Sequence, residues 1–254
     1  MRILVVNDDG IFSPGIKSLA QAMAELGEVN VVAPDIEQSG VGHGITIRNP
    51  LRFKHTASAG LEPIPAYRVD GTPADCVILG MHLLGKPDLI VSGINLGLNT
   101  GLGITRSGTV AGALEGCAQG VPAIAFSQDV SRHEELDFNP ALPWAKRIAA
   151  WVIEHGLPAK TFLNVNFPAH LPKGLNVTRL STFRYEGRIV EREDPGGVPY
   201  YWIAGRVEPI HEPDSDMEAI EQGLVSVTPV HLDLTDYQFK ALLESHLEEM
   251  PPSQ

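Results

Sequence analysis

The sequence predicts an open, doubly wound, mostly parallel α/β sheet with a C-terminal β-rich extension and a terminal helix. Two observations lead to this fold class. Short apolar, β-branched runs alternate with helical patterns through the first two thirds of the chain, and polar, glycine-rich turns follow those runs. The chain has 254 residues, 43% of them hydrophobic, which is enough for a sizeable core. We therefore expect one α/β domain over residues 1–254.

The first elements form a β-α-β unit. Arg2–Asn7 is predicted to be a strand buried on both faces, and Asp8-Asp9-Gly10 ends it. Ser13 followed by Pro14 predicts a capped helix start, and Glu28–Ala33 is the next strand. Such a short unit predicts a right-handed crossover between two parallel strands.

The same alternation continues to about residue 170 and is typical of a Rossmann-like sheet. The pattern predicts helices starting at Thr72-Pro73 and over Thr109–Gln119 and Leu142–Glu154, and strands over Pro87–Ser92, Pro122–Ser127 and Phe162–Phe167.

After Pro168 the pattern changes to short strands separated by polar turns. These strands are predicted at Val177–Leu180, Arg188–Arg192, Tyr200–Ala204 and Leu224–Pro229, and a terminal helix at Asp236–Glu248. We interpret residues 171–254 as a C-terminal sub-region that extends the sheet or projects towards a partner subunit, and expect it to take part in oligomerisation.

Composition excludes several classes of protein. The formal charge is −12, from 19 Lys+Arg against 31 Asp+Glu, which argues against a nucleic acid polymer as partner. No apolar run approaches the roughly 18 residues of a membrane span, so no membrane partner is expected. The only two cysteines, Cys76 and Cys117, cannot form a disulfide framework, which favours a reducing compartment and a cytoplasmic location.

An acidic pair, Asp8 and Asp9, follows the first strand. Ligands of open α/β sheets bind at the carboxyl ends of the strands. Two adjacent carboxylates repel each other unless a cation lies beside them, and hard oxygen ligands favour Mg²⁺, Mn²⁺ or Ca²⁺. The alternative is a solvated Asp-Asp-Gly turn that binds nothing.

Polar loops also follow the second and third strands of the predicted sheet. Ser39 is a possible neutral metal ligand, and His43 is a weak candidate for protonating a leaving group. Asn95 offers an amide oxygen to a metal, whereas Asn99 offers an amide donor to an anion. Ordinary glycine- and asparagine-rich turns are the alternative interpretation of both loops.

The helix that follows has an N-terminus suited to an anion. Ser107 or Thr109 can cap it, and Gly108 allows close approach of a ligand to the backbone N–H groups. The stretch contains no Gly-Lys-Ser/Thr run, and the earlier glycines do not complete a dinucleotide-binding fingerprint. An ordinary serine cap is the alternative.

Taken together, these segments resemble the SurE family of stationary-phase survival proteins, which are metal-dependent 5′/3′-nucleotidases. The resemblance spans nearly the whole chain in order. It is carried by the stretches Ile3–Gly10, Ala33-Pro34, Gln38–Gly40, Gly42–Thr46, Gly71–Val77, Pro87–Asn95, Ser107–Val110, Asn164–Pro168, Val225–Pro229 and Leu232–Thr235.

The resemblance implies a divalent ion held by Asp8, Asp9, Ser39 and Asn95, and hydrolysis of nucleoside 5′- and 3′-monophosphates to nucleoside and phosphate. It also implies a homodimer or homotetramer that exchanges C-terminal elements.

A mechanism that fits the residues uses one divalent ion per subunit, Mn²⁺ or Mg²⁺, with Asp8 and Asp9 as catalytic residues. A water molecule is the expected nucleophile and one of the two aspartates its base; a phospho-aspartyl intermediate at Asp8 stays open. The remaining phosphate oxygens are expected to bind Asn99, Ser107, Gly108 and Thr109.

Two rival functions use similar residues. A non-catalytic nucleotide-binding module shares these binding groups with an enzyme. A receiver-like signalling module also binds Mg²⁺ through paired acidic residues, but it needs a phosphoacceptor aspartate at the end of its third strand. Here Asp88 lies at the start of that strand.

Overall fold

The computed structural model describes residues 1–130, 136–182, 186–206 and 212–247. Within these residues, nine strands form one mixed sheet in the order β3-β4-β2-β1-β5-β6-β7-β11-β8. The strands are β1 Arg2–Val6, β2 Glu28–Pro34, β3 Phe53–His55, β4 Ala66–Val69, β5 Leu89–Leu96, β6 Ala123–Gln128, β7 Thr161–Phe167, β8 Leu175–Val177 and β11 Val225–His231. A separate antiparallel hairpin joins β9 Glu186–Glu193 to β10 Pro199–Arg206.

Helices cover both faces of this sheet. They are α1 Pro14–Met23, α2 Pro73–Leu84, α3 Gly108–Ala118, α4 Leu142–His155, α5 Asp216–Glu221 and α6 Tyr237–Leu247, with a 3-10 helix at Gly101–Arg106. One apolar core joins the sheet to α1 and α4, and a second core joins it to α2 and α3. The six strands from β4 to β7 run parallel, so the prediction of an open, doubly wound α/β sheet is confirmed.

The predicted third strand is longer than the sequence suggested. It was expected to end at Ser92, with Asn95 in the following loop, but β5 continues to Leu96. A register shift separates Ser92 from Asn95, and Asn95 then pairs with Ser127 of β6. The segment Gly93–Leu96 has the composition of a loop, yet Asn95 and Leu96 pair with β6. The expectation that Asn95 lies in a loop is therefore wrong: Asn95 belongs to β5, near its carboxyl end.

Part of the C-terminal sub-region extends the sheet: β8 and β11 join it beyond β7, whereas β9 and β10 form the separate hairpin. Strand β11 lies antiparallel to β7, and β8 lies parallel to β11. The strand predicted at Val177–Leu180 is misplaced: β8 spans Leu175–Val177, and the two ranges share only Val177. The last residue of the helix predicted at Asp236–Glu248 lies outside the described residues. Within the residues described, no helix is long and apolar enough to cross a membrane.

Side-chain alternation places polar residues on one face of the sheet at its carboxyl edge. Phe162 of β7 belongs to the core under α2 and α3. Asn164 and Asn166 follow it at two-residue spacing and share that face, as Ser127 does on β6 after Ala123 and Ala125. The apolar face under α3 therefore ends in a row of buried amides and hydroxyls.

Candidate metal and phosphate site

Asp8 lies at the end of β1 against the start of α3. The residue is 4% exposed, and the hydroxyl of Thr109 donates a hydrogen bond to Oδ1. A Cβ built on Gly108 would lie 2.6 Å from Asp8 Cβ and 3.0 Å from Asp8 Oδ2. Only glycine therefore lets α3 approach this closely, and the carboxylate is fixed with one oxygen bound to α3.

Asp9, the next residue, is only half-buried and faces the end of β5. The backbone N–H of Leu96 donates to Asp9 Oδ2 over 3.3 Å. Burial, and after it the charge of Asp8, raise the pKa of Asp9 to about 7. Burial also raises the pKa of Asp8, although the hydrogen bond from Thr109 acts in the opposite direction. The two carboxylates thus lie where a cation would stabilise their charged forms.

The loop after β2 brings Ser39 to the same edge. The N–H of Gln38 donates to the carbonyl of Asp8 over 2.8 Å, which holds this loop beside the end of β1. The exposed hydroxyl of Ser39 donates to Glu37 Oε1 over 2.5 Å. Because its proton points to Glu37, the lone pairs of Ser39 Oγ are turned towards other partners and can bind a cation.

Asn95 lies next to Leu96, the residue that binds Asp9. Its Nδ2 donates to the carbonyl of Gly97 over 2.8 Å. The amide is thereby oriented with its nitrogen on the loop, so Oδ1 is the atom left to act as a ligand. The four residues expected to hold a metal, Asp8, Asp9, Ser39 and Asn95, thus lie at or just after the ends of β1, β2 and β5.

These donors fit a hard divalent cation. The described residues contain no group of three or more His, Cys, Asp or Glu side chains that could hold a metal ion. An ion at this edge must therefore combine the two carboxylates with neutral oxygens, and a hydroxyl and an amide oxygen lie beside them. An all-oxygen set of this kind suits Mg²⁺, Mn²⁺ or Ca²⁺ and disfavours zinc.

The N-terminus of α3 lies beside this carboxylate pair. Ser107 caps the helix: its Oγ accepts from the N–H of Val110 over 3.1 Å, and its carbonyl accepts from Ala111. The N–H groups of Gly108 and Thr109 precede these in the first turn. The positive end of the α3 dipole therefore lies beside the carboxylate pair. A phosphate group bound by these N–H groups would also lie next to a cation held by the carboxylates.

Asn99 occupies the middle of the loop between β5 and the 3-10 helix. Its Nδ2 donates to Ser127 Oγ over 2.8 Å, and its backbone binds Asn164 and Asn166 of β7. From the sequence, these two asparagines stood out only as part of a motif. Their amide side chains inside an apolar strand, Phe162–Phe167, were the sequence feature that could have drawn attention to them.

Two further contacts were not anticipated. The Thr109 hydroxyl binds Asp8, whereas the sequence suggested only a cap or a phosphate ligand. His43, the weak candidate for a general acid, instead places its Nε2 2.8 Å from Glu115 Oε2. This contact lowers the pKa of Glu115. It also ties the loop that carries Ser39 to α3.

Known proteins resemble the chain over nearly its whole length. The family model described as survival protein SurE matches residues 3–187. The 5′-nucleotidase SurE 1 of Thermus thermophilus is 65% identical over 252 residues, covering 99% of this chain and 100% of that protein. The 5′-nucleotidase SurE of Deinococcus radiodurans is 54% identical, covering 99% of this chain and 93% of that protein.

A solved structure has the same fold. The crystal structure of the SurE protein from Aquifex aeolicus superposes with a TM-score of 0.83 at 42% sequence identity. The match covers 98% of this chain and 100% of that one.

Proposed function

The chain belongs to the survival protein SurE family, and from that premise we infer that it is a metal-dependent 5′-nucleotidase, a phosphomonoesterase that releases phosphate from nucleoside monophosphates. Relatives that match nearly its whole length carry the name 5′-nucleotidase. The structural observation that supports this function is the meeting of the Asp8/Asp9 pair with the N-terminus of α3. The non-catalytic and receiver-like alternatives are not retained, because these relatives are named as enzymes.

One divalent ion per subunit, Mn²⁺ or Mg²⁺, is the cofactor in this proposal. Asp8, Asp9, Ser39 and Asn95 hold it. When bound, the ion polarises the phosphate and offsets its negative charge. The pKa values of Asp8 and Asp9, both raised by burial, support a cation at this place, because it returns both carboxylates to their charged forms.

The phosphate is bound on the other side by Asn99, Ser107, Gly108 and Thr109. The hydroxyl of Ser107, buried at the cap of α3, can donate to a phosphate oxygen while its lone pair accepts from Val110. The N–H groups of Gly108 and Thr109 lie at the positive end of the α3 dipole and can donate to further phosphate oxygens. Such fixed donors stabilise charge that develops on the phosphate oxygens as the ester bond breaks.

The Asp8/Asp9 pair carries the proton transfer. A water molecule attacks phosphorus as the bond from phosphorus to the ester oxygen breaks, and one carboxylate of the pair accepts the proton of the water. The departing nucleoside oxygen takes up a proton, from that carboxylic acid or from solvent, so that nucleoside and phosphate leave. Asp8 is buried and bound by Thr109, while Asp9 has one oxygen bound by Leu96 and is the more accessible of the two. Attack by Asp8 itself, through an aspartyl phosphate, is the other route these residues permit. Both 5′- and 3′-monophosphates are proposed substrates.

The proposal extends to the assembly and its location. The C-terminal sub-region is proposed to exchange elements in a homodimer or homotetramer, which is supported by the exposed apolar side chains of β10 and α6, among them Trp202, Ile203, Phe239 and Leu242. Cys76 and Cys117 are free and buried thiols, in keeping with the cytoplasmic location that we propose.

The test is phosphate release from AMP in the presence of Mn²⁺. Asp8→Asn and Asp9→Asn should each lower kcat/KM by at least about 10²-fold to 10³-fold, because each removes a charge from the site that binds the cation and accepts the proton. Asp70→Asn is the matched control, since Asp70 pairs with Arg52 on the surface. Near wild-type rates in the Asp8 and Asp9 variants would contradict the assignment.

A further inference from the structure

We propose that Asn166, assisted by Asn164, is a positioning residue that sets Asn99 against the substrate phosphate. This inference rests on the phosphate-binding role proposed above for Asn99. Neither asparagine of β7 is itself assigned to the metal or to the phosphate. They act through the backbone of the loop that carries Asn99.

Asn166 binds the backbone of Asn99 at two points. The N–H of Asn99 donates to Asn166 Oδ1 over 2.8 Å, and Asn166 Nδ2 donates to the carbonyl of Asn99 over 2.9 Å. Asn164 Nδ2 donates to the same carbonyl over 2.8 Å. Three hydrogen bonds from one strand thus fix the position and the orientation of a single loop residue.

The side chain of Asn99 is oriented by the same arrangement. With its backbone held on β7, its amide reaches Ser127 of the neighbouring strand β6. Ser127 is paired in register with both Asn166 and Asn95. Strand β7 thus holds the backbone of Asn99, while its amide binds β6, the strand that also pairs with the proposed metal ligand Asn95.

The loop is held at alternate residues. The N–H of Gly97 donates to the carbonyl of Gln128 over 2.9 Å, and the N–H of Gly101 donates to Asp216 Oδ2 over 2.8 Å. Asn99 lies midway between these anchors. Without its contacts to β7, the middle of the loop would be held only through side chains, by the bond from Asn99 to Ser127 and the bond from Thr100 to Met217. The backbone of Asn99 would then have no fixed position between the two anchored glycines.

Burying the side-chain amides of Asn164 and Asn166 lowers the stability of the fold. Asn164 and Asn166 are fully buried in the interior of the sheet, and Asn164 Oδ1 has no hydrogen-bond partner within the described structure. A buried amide with an unmet acceptor destabilises the fold, and apolar β-branched residues suit such a strand better. A role in holding Asn99 explains why polar residues lie here.

The experiment uses the full chain and measures the Kd of inorganic phosphate by calorimetry with Mg²⁺ present, alongside the KM for AMP. Asn166→Ala removes two of the bonds to Asn99, and Asn164→Ala removes one. Ser226→Ala is the matched control: Ser226 is buried and pairs in register with Asn166, but its hydroxyl binds Thr178. Asn99→Ala and the double variant Asn99→Ala/Asn166→Ala complete the series.

We expect Asn99→Ala and Asn166→Ala each to raise the Kd of phosphate about tenfold, the order expected when one hydrogen bond to a charged group is lost. Asn164→Ala should have a smaller effect and Ser226→Ala none. The double variant should bind no more weakly than Asn99→Ala alone, because Asn166 acts only through Asn99. A merely structural role would lower the stoichiometry of binding and leave the Kd unchanged.

Independent effects of the two substitutions in the double variant, or an unchanged Kd in Asn166→Ala, would overturn the proposal. If Asn166→Ala does not fold, Asn166→Asp replaces it, alone and combined with Asn99→Ala. This substitution keeps the size of the side chain and the oxygen that accepts from Asn99, but removes the N–H donor. An unchanged Kd in Asn99→Ala also overturns it. Failure of the proposed function shows separately, as absence of phosphate release from AMP by the wild-type protein.

Discussion

At the scale of single residues, the closeness of α3 to Asp8 depends on Gly108. Gly108→Ala places a methyl group 3.0 Å from Asp8 Oδ2 and closer still to its Cβ. The helix start or the carboxylate must then shift, and a displacement of about 1 Å costs on the order of 10²-fold in rate. We expect kcat/KM for AMP to fall by about that factor in a steady-state assay.

The control for this prediction is a second glycine close by in the sequence. At Gly103, in the 3-10 helix, an added methyl group would meet nothing within 4 Å. Gly103→Ala should retain activity within about twofold, as is usual for surface substitutions. Equal losses in both variants would mean that the effect does not arise from contact with Asp8.

Residue types at the site were predictable, but their partners were not. Asp8, Asp9, Ser39 and Asn95 follow buried strands, and the carboxyl edge of a parallel sheet gathers such residues whatever the order of the strands. By contrast, the bond from Thr109 to Asp8 spans 101 positions in the chain. This bond depends on the distance between α3 and the sheet, which the sequence pattern does not determine.

At the scale of elements, the N-terminus of α2 holds the end of the loop that follows Ser39. The buried side chain of Asp75 accepts three hydrogen bonds. Two come from Thr46, from its N–H over 2.9 Å and from its hydroxyl over 2.7 Å, and the third comes from the N–H of Thr72 over 2.9 Å. Thr72 in turn accepts from Asp75 and donates to the carbonyl of Gly44. The capping box therefore fastens this loop as well as the helix.

This arrangement predicts a ranking of stabilities. Thr72→Ala should lower the free energy of unfolding by about 1 kcal/mol, the usual cost of a lost cap. Asp75→Ala leaves three donors without a partner and should cost about 3 kcal/mol. Urea unfolding followed by circular dichroism measures both. Equal losses would show that Thr46 gains nothing from Asp75.

A second element-level contact predicts a pH effect. Glu212 accepts hydrogen bonds from the hydroxyl and N–H of Thr182 and from Arg179, and these bonds lower its pKa to about 2. They also join the segment that follows β8 to the segment that precedes α5. Because the folded pKa lies below the ordinary value of 4.5, this stabilisation is present above pH 4.5 and is lost as the pH falls towards 2.

Glu212→Gln should therefore reduce the slope of unfolding free energy against pH between about pH 4.5 and pH 2. Glu154→Gln, at an exposed site on α4, is the control and should leave the slope as in the wild type. Denaturant unfolding across this range measures it. A slope in Glu212→Gln equal to that of the wild type would contradict the assigned contacts.

Helices were predictable from the sequence where a capping residue stands at their start. The caps Ser13, Thr72 and Ser107 begin α1, α2 and α3 as their sequences indicated. Strands β3 and β4, the 3-10 helix and α5 were missed, because they are three to six residues long and too short to show a period. Pairing with neighbours, rather than local preference, determines such segments.

At the scale of the whole molecule, the sheet order separates the central parallel strands from the additions at the edge. Strands β1, β2 and β5, which carry the proposed metal ligands, lie together in the middle of the order, whereas β11 and β8 extend one edge beyond β7. The alternation of elements predicted the parallel centre. It could not predict that β11 would turn antiparallel on β7, because that choice depends on pairing between distant segments.

The C-terminal helix presents an apolar stripe without a partner in the described part of the chain. No residue of α6 is buried, yet Phe239, Leu242, Leu243 and Leu247 lie at helical spacing and are each at least 40% exposed. Apolar side chains grouped in this way favour contact with another chain. The proposed exchange of C-terminal elements supplies such a contact, since a second copy would present the same stripe.

Leu242→Asp should therefore lower the oligomeric mass, because it places a charge in the proposed interface. Ala241→Asp is the matched control: it adds the same charge at an exposed position of α6 that is neither three nor four residues from any residue of the stripe. Sedimentation velocity of wild type and both variants at equal concentration distinguishes the outcomes. A wild-type monomer, or a Leu242→Asp variant that keeps the wild-type mass, would contradict an assembly formed through α6, while loss of mass in Leu242→Asp alone assigns the apolar stripe to the interface.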